Sequence, residues 1–305
     1  MADDSALDTG QEAEADENHG SGFRLSDHIS RNDLIGLCAL TVALIAAFYP
    51  QMTWMWGRWM NSEYYGHGFF IVPISAYLIY RRREALAELP KSQDWRGLAL
   101  LAFGVLIHLF GCQVDVNFIS AFALVFAVAG AVWWLWGATV AVALAFPLAY
   151  LCFMVPIDRL LIDGFSSPLQ LLAANVGAGF AQMLGIPIVR EGVNISVPDY
   201  TFEVAIACSG LKSSITLVAL ATLYGYLTEG AIWKRIVLVA SSVPIALLAN
   251  SVRIAAILIV AQAMSAEAAE GFFHNFSGIV VFMVGLVGLY AIGRAIGCHN
   301  TRDDI

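Results

Sequence analysis

The sequence predicts an all-α integral membrane protein with about eight transmembrane helices and a small extracytoplasmic β-hairpin/re-entrant insertion. Three observations carry this. First, 59% of the 305 residues are hydrophobic, only 13% are charged, and mean hydropathy is +0.72. A soluble domain is about 45–50% apolar and about 25% charged, so the excess must face lipid. Second, the apolar residues fall into runs of membrane-crossing length. Third, Lys and Arg gather on alternate connections.

A helix needs roughly 20 mostly apolar residues to cross the hydrocarbon. The candidate spans are Leu34–Tyr49 extending toward Trp56, Gly68–Tyr80 with its upstream flank, Gly97–Val114 and Phe118–Trp136. Thr139–Ile157, Gly210–Leu227, Ile236–Ile257 and Asn275–Ile296 complete the eight. Trp54, Trp56, Trp59, Tyr64 and Tyr65 precede the second run, as interfacial aromatics do. Pro147 and Pro244 are expected to kink the fifth and seventh helices.

Charge organises the rest. Of the 24 acids, seven lie in the first twenty residues, which hold no Lys or Arg; this leaves 17 acids against 16 bases elsewhere. Residues 1–33 therefore read as an acidic disordered cytoplasmic tail, and they lack the basic n-region of a signal peptide. Residues 34–297 form the polytopic unit and 298–305 a second cytoplasmic tail. With the amino terminus inside, 11 of the 16 Lys and Arg fall on the cytoplasmic side, including Arg81–Arg83, Lys234, Arg235, Arg294 and Arg302. That asymmetry obeys the positive-inside rule. No basic face exists for nucleic acid.

The insertion occupies 158–207. Leu160–Ile186 is moderately apolar but broken by Asp163, Ser166, Ser167 and Pro168, so an amphipathic or re-entrant helix at the outer interface is expected. After it, residues 188–204 alternate and are rich in β-branched side chains, with Glu191-Gly192 and Pro198-Asp199 as punctuation. A small hairpin outside the membrane follows from that pattern.

Three chemically capable residues share one depth. Cys208 precedes the sixth span. Arg253 lies eighteen residues beyond Arg235, or about 27 Å along a helix at ~1.5 Å per residue, which carries it to the outer leaflet. His274 opens the eighth span from outside. A thiolate is the reactive form of cysteine, and an imidazole, a cation or a helix amino terminus favours it. His274 suits proton transfer to and from Cys208; Arg253 suits an oxyanion, substrate positioning or lowering of the thiol pKa. Asn250, about one turn before Arg253, is placed to orient one of them. The other cysteines, Cys38, Cys112, Cys152 and Cys298, lie in or beside apolar runs and read as small hydrophobes. No cofactor or metal is expected.

At these residues the sequence resembles the exosortase/archaeosortase family. The blocks are Ala207-Cys-Ser-Gly-Leu-Lys212, Asn250-Ser-Val-Arg253 and His274. Upstream, Tyr65-Gly-His-Gly-Phe-Phe-Ile-Val-Pro73, running into Tyr77 and Arg81–Arg83, resembles the amino-terminal block. The similarity spans about Leu34 to Ile296. The resemblance implies a membrane-embedded cysteine protease/transpeptidase that reads a carboxy-terminal sorting signal on exported proteins: a motif of the PEP-CTERM type, a transmembrane helix and a basic cluster. It implies cleavage at the outer face of the bacterial inner membrane and transfer to a surface acceptor, polysaccharide or lipid-linked, in connection with exopolysaccharide production. Cys208 would be the nucleophile, Arg253 the activating or oxyanion-stabilising group, and His274 the base and acid. Ser209, Lys212 and His67, the last between Gly66 and Gly68, are candidate supporting or substrate-binding residues. Membrane lipids are the remaining expected partner.

Two other readings compete. A transporter or polysaccharide-assembly subunit would use Arg253 and His274 to bind an anionic substrate. An intramembrane protease would hydrolyse the same acyl-enzyme without transfer.

Overall fold

The computed structural model describes residues 31–62, 64–157, 159–198, 200–203, 210–265, 267 and 274–302. The chain divides into two compact units, Met1–Ala47 and Phe48–Ile305. Helix α1 (Arg31–Asn61) begins in the first and ends in the second; all later elements belong to the second. These are helices α2 (Gly68–Arg81), α3 (Arg83–Glu88), α4 (Trp95–Gln113), α5 (Asn117–Trp136), α6 (Ala138–Ala143) and α7 (Ala145–Tyr150), which runs into a 3-10 turn at Leu151–Met154. Then come α8 (Arg159–Met183), strands β1 (Val189–Glu191), β2 (Asn194–Val197) and β3 (Tyr200–Glu203), and helices α9 (Leu211–Leu227), α10 (Ile232–Ala263) and α11 (His274–Ala295).

The protein is an all-α membrane protein with one small sheet. Among the described residues, five helices are long and apolar enough to cross a bilayer: Ile35–Asn61, Trp95–Gln113, Asn117–Trp136, Ile232–Ala263 and Gly278–Ala295. The other three expected spans are shorter apolar helices, at Gly68–Arg81, Ala145–Met154 and Leu211–Leu227.

The fifth run breaks for a local reason. Pro147 has no N–H to offer the carbonyl of Ala143, four residues earlier. The helix is interrupted at Leu144 (φ −96°, ψ 6°). Arg82 Nη1 donates to the abandoned Ala143 oxygen at 2.7 Å, so α2 and the break are tied together. Pro244, by contrast, sits inside α10 without ending it.

Helices α4 and α5 pack closely because α4 presents Gly97, Gly104 and Gly111, seven residues apart, to the backbone of α5. A Cβ at Gly104 would lie 2.7 Å from the Ala127 nitrogen. Small residues permit such contact where lipid supplies no hydrophobic drive. Asp94 caps α4: one carboxylate oxygen accepts from the Arg96 N–H at 3.0 Å and the other from Trp133 Nε1 at 2.9 Å. The Arg96 N–H, then the indole, hold the Asp94 carboxyl below its ordinary pKa.

The insertion is larger in structure than its sequence pattern indicates. Instead of a two-stranded hairpin there is a three-stranded antiparallel meander in the order β1-β2-β3. Strands β2 and β3 pair with Val197 opposite Tyr200. The stretch expected to be an amphipathic or re-entrant helix is helical, as the single 25-residue α8. Ala173, Ala174 and Ala178 of α8, Ile195 and Val197 of β2, and Ile254, Ile257 and Leu258 of α10 share one buried core. The insertion is thereby docked on the last third of α10.

Candidate active site

Helix α10 is the hub, packing against α8, α9 and α11. Its 32 residues extend about 48 Å, well beyond a hydrocarbon thickness of about 30 Å. All three neighbours approach its Asn250–Ile254 turn through glycines. A Cβ on Gly177 of α8 would stand 2.7 Å from Ile254 Cγ2 and 3.2 Å from the Ser251 carbonyl. One on Gly210, immediately before α9, would meet Asn250 Cβ at 3.3 Å and Nδ2 at 3.4 Å. One on Gly278 of α11 would lie 3.9 Å from Arg253 Nη1.

This turn is polar and enclosed. Asn250 is fully buried, Ser251 is buried, and Arg253 is only 8% exposed. Ser251 Oγ donates to the Leu247 carbonyl at 2.9 Å, a local bond that satisfies its hydroxyl. A guanidinium near a helix end ordinarily snorkels to water. Arg253 instead stays among helices, and a buried ionisable group in a membrane protein is costly enough to mark function or pairing.

The sequence candidates sort as follows. Cys208 and Ser209 lie outside the described residues. Two positions after Cys208, Gly210 takes a left-handed conformation (φ +80°, ψ −2°) as the N-cap of α9. The Ser214 N–H and Oγ both donate to its carbonyl at 2.9 Å, fixing the helix start. The preceding segment therefore leads directly into a helix amino terminus, the positive end of its dipole. Lys212 is exposed on the first turn of α9. His274 is the first residue of α11, and its side chain lies outside the described atoms. Gly278, one turn later, is the residue against Arg253. Thus the chain just after Cys208 and the chain just after His274 meet the same turn of α10, at Asn250 and at Arg253.

His67 belongs to a neighbouring layer. It caps α2, is half-buried, and its ring centroid is 6.2 Å from that of Tyr65. Tyr64 and Phe153 present backbone groups to the ring, neither at hydrogen-bonding geometry. Trp59 Nε1 donates to the Met154 carbonyl at 2.8 Å and Tyr65 Oη to that of Ile157 at 3.3 Å, anchoring this block to the segment before α8. An apolar cavity of about 330 Å³ lies between it and α9, lined by Tyr65, Val155, Ile157, Leu169, Leu211 and Ser214 among others. Of these wall residues, Tyr65 and Leu211 fall within the sequence blocks quoted above; the others, and the packing glycines Gly177 and Gly278, were missed. The one available signal was spacing: Gly278 stands four residues after His274, on the same helical face.

No curated protein and no solved structure matches this chain. Residues 59–291, well over half of the sequence, match the transmembrane exosortase family, and with the site assembled around α10 as described, the chain belongs to that family.

Proposed function

We propose that this protein is a thiol-dependent sorting enzyme that cleaves the carboxy-terminal signal of exported proteins at the outer face of the bacterial inner membrane. Family membership carries the coarse part, a membrane-embedded sorting transpeptidase. The observation that supports the finer reading is the convergence on one turn of α10: Gly210 on Asn250, and Gly278 beside the buried Arg253.

In this reading His274 takes the Cys208 proton and the thiolate attacks the scissile carbonyl. Arg253 balances the developing oxyanion, a role that suits a fixed, desolvated guanidinium. Collapse breaks the C–N bond, His274 returns the proton to the leaving amine, and a thioester remains on Cys208. An acceptor nucleophile then releases the product, and an acceptor on the cell surface linked to exopolysaccharide is the expected one. Water as the nucleophile would make the same enzyme a protease.

The test is a processing assay in cells with a tagged exported protein bearing a motif–helix–basic signal. Cys208→Ala and Cys208→Ser should each lower processing by roughly a thousandfold or more at unchanged membrane levels, as removal of a covalent nucleophile does. Full processing by Cys208→Ala would overturn the mechanism and return the transport reading. The mass of the new carboxy terminus, free acid or conjugate, separates hydrolysis from transfer.

A further inference from the structure

At the end of the bundle opposite Arg253, arginines from separate segments surround one aromatic ring. Tyr226, near the end of α9, stacks on Phe146 with centroids 3.5 Å apart and planes 1° from parallel. The Arg82 guanidinium carbon lies 5.6 Å from the Tyr226 centroid and that of Arg302 lies 5.5 Å from it. Arg302 is held there by its backbone, whose N–H donates to the Leu227 carbonyl at 2.9 Å. Arg235, in the first turn of α10, donates from Nη2 to the Thr228 carbonyl at 3.2 Å, while its buried Nε makes no hydrogen bond. Lys234 adjoins it. Nearby, Arg83 pairs with the exposed Glu84 at 2.9 Å.

Beside this cluster runs an apolar cavity of about 460 Å³, lined by Phe146, Tyr226, Arg235, Ile236, Val239 and Ala240 among others. From Ile232 to Ala240 it follows α10 for about 12 Å at ~1.5 Å per residue. Arg235 lines it within the first turn of α10, and Ile236, Val239 and Ala240 follow along the helix. A cation beside an apolar trough matches a ligand with an anionic head and a long hydrocarbon tail. Basic pockets between transmembrane helices at the cytoplasmic side take anionic lipid headgroups. The positive-inside rule puts this end in the cytoplasmic leaflet.

We infer that the groove between α9 and α10 is a specific site for an anionic diacyl phospholipid, its phosphate at Arg235 within the Arg82–Arg302 cluster and one acyl chain along Ile236, Val239 and Ala240. The site is separate from the chemistry around Arg253 and stands whether or not that chemistry is as proposed. Lipid here would add to the packing of α2, α9, α10 and the segment after α11, which already meet through apolar contacts and backbone bonds.

The test is native mass spectrometry of the full-length, delipidated protein titrated with dioleoyl phosphatidylglycerol, dioleoyl phosphatidylcholine and inorganic phosphate. Phosphatidylglycerol should bind at least tenfold more tightly than phosphatidylcholine, and inorganic phosphate should leave no adduct. Arg235→Gln should weaken phosphatidylglycerol binding about fivefold, the worth of one basic residue at an anionic surface. Ala240→Trp, which fills the exposed trough without touching a charge, should weaken it comparably and so controls for any disturbance at Thr228. Equal retention of the two lipids, inorganic phosphate competing as well as the lipid, or unaltered binding by both variants would overturn the site.

Discussion

Helix α10 carries two arginines eighteen residues apart, and the molecule treats them in opposite ways. Arg235 stands among aromatic rings, backbone carbonyls and an open groove, half-buried where a guanidinium can still reach a headgroup or water. Arg253 is buried in a turn that its neighbours approach through Gly177, Gly210 and Gly278, the last beside the guanidinium, with the buried Asn250 one turn away. The first setting is that of an interfacial anchor. The second holds a charge where solvation is poor and geometry is fixed, the condition under which an ionic group acts most strongly on developing charge. Hydropathy treats the two arginines alike; the neighbours make the difference.

The contrast is open to experiment. Its largest expected effect is in the lysine pair. Arg253→Lys should lower substrate processing by about a hundredfold or more, because an ammonium cannot reproduce the planar fork of donors. Arg235→Lys should stay within about twofold, since an interfacial anchor needs charge rather than shape. Equal losses in the processing assay would erase the distinction. Next is Gly210→Ala. A left-handed φ of +80° costs an L-residue about 1–2 kcal/mol, and the new methyl would also press on Asn250 Cβ at 3.3 Å. Thermal unfolding of the purified protein should show a lower midpoint, and processing should fall with it.

A finer test lies at Gly278. Alanine there meets Arg253 Nη1 at an ordinary contact distance of 3.9 Å and should leave processing nearly unchanged. Gly278→Leu must push the guanidinium aside and should resemble Arg253→Lys in activity without an equal loss of stability. The smallest effect belongs to Asp94, the cap of α4. Its carboxyl is held below its ordinary pKa in the folded protein, so its stabilisation is complete above about pH 4 and is lost as pH falls through the lowered value. Asp94→Asn should flatten that acid limb in a pH series of melting temperatures and leave processing at neutral pH untouched.

Much of the fold is legible in the sequence because apolar run length is a direct physical signal. Each run read as a span contains α-helix, and Gly210–Leu227 and Asn275–Ile296 agree with α9 and α11 to within one residue at each end. The reading is weaker where bulk hydrophobicity is not what packs. Helix α8 read as an interfacial helix rather than a span because Asp163, Ser166, Ser167 and Pro168 interrupt its apolar run; its packing face is built of Ala173, Ala174, Gly177 and Ala178, small residues that let backbones approach. The fifth run gave no warning that Arg82 would cap the carbonyl orphaned by Pro147, a contact between residues 61 positions apart. For the candidate site, charge placement supplied depth, through the spacing of Arg235 and Arg253. Lateral convergence depends on which glycines face α10, and the sequence reports that only through the spacing of Gly278 from His274.

Two of the helices around the site are short. Helix α2 has 14 residues and α9 has 17, about 21 Å and about 25 Å in length against a hydrocarbon thickness of about 30 Å. Both begin at the same cavity, where Tyr65 faces Leu211 and Ser214. A bilayer adjoining them is subject to hydrophobic mismatch, which it relieves by thinning or by admitting water at the helix ends. On the mechanism proposed above, the thioester needs water or an acceptor at its own depth, and helices this short would bring the aqueous boundary closer to it.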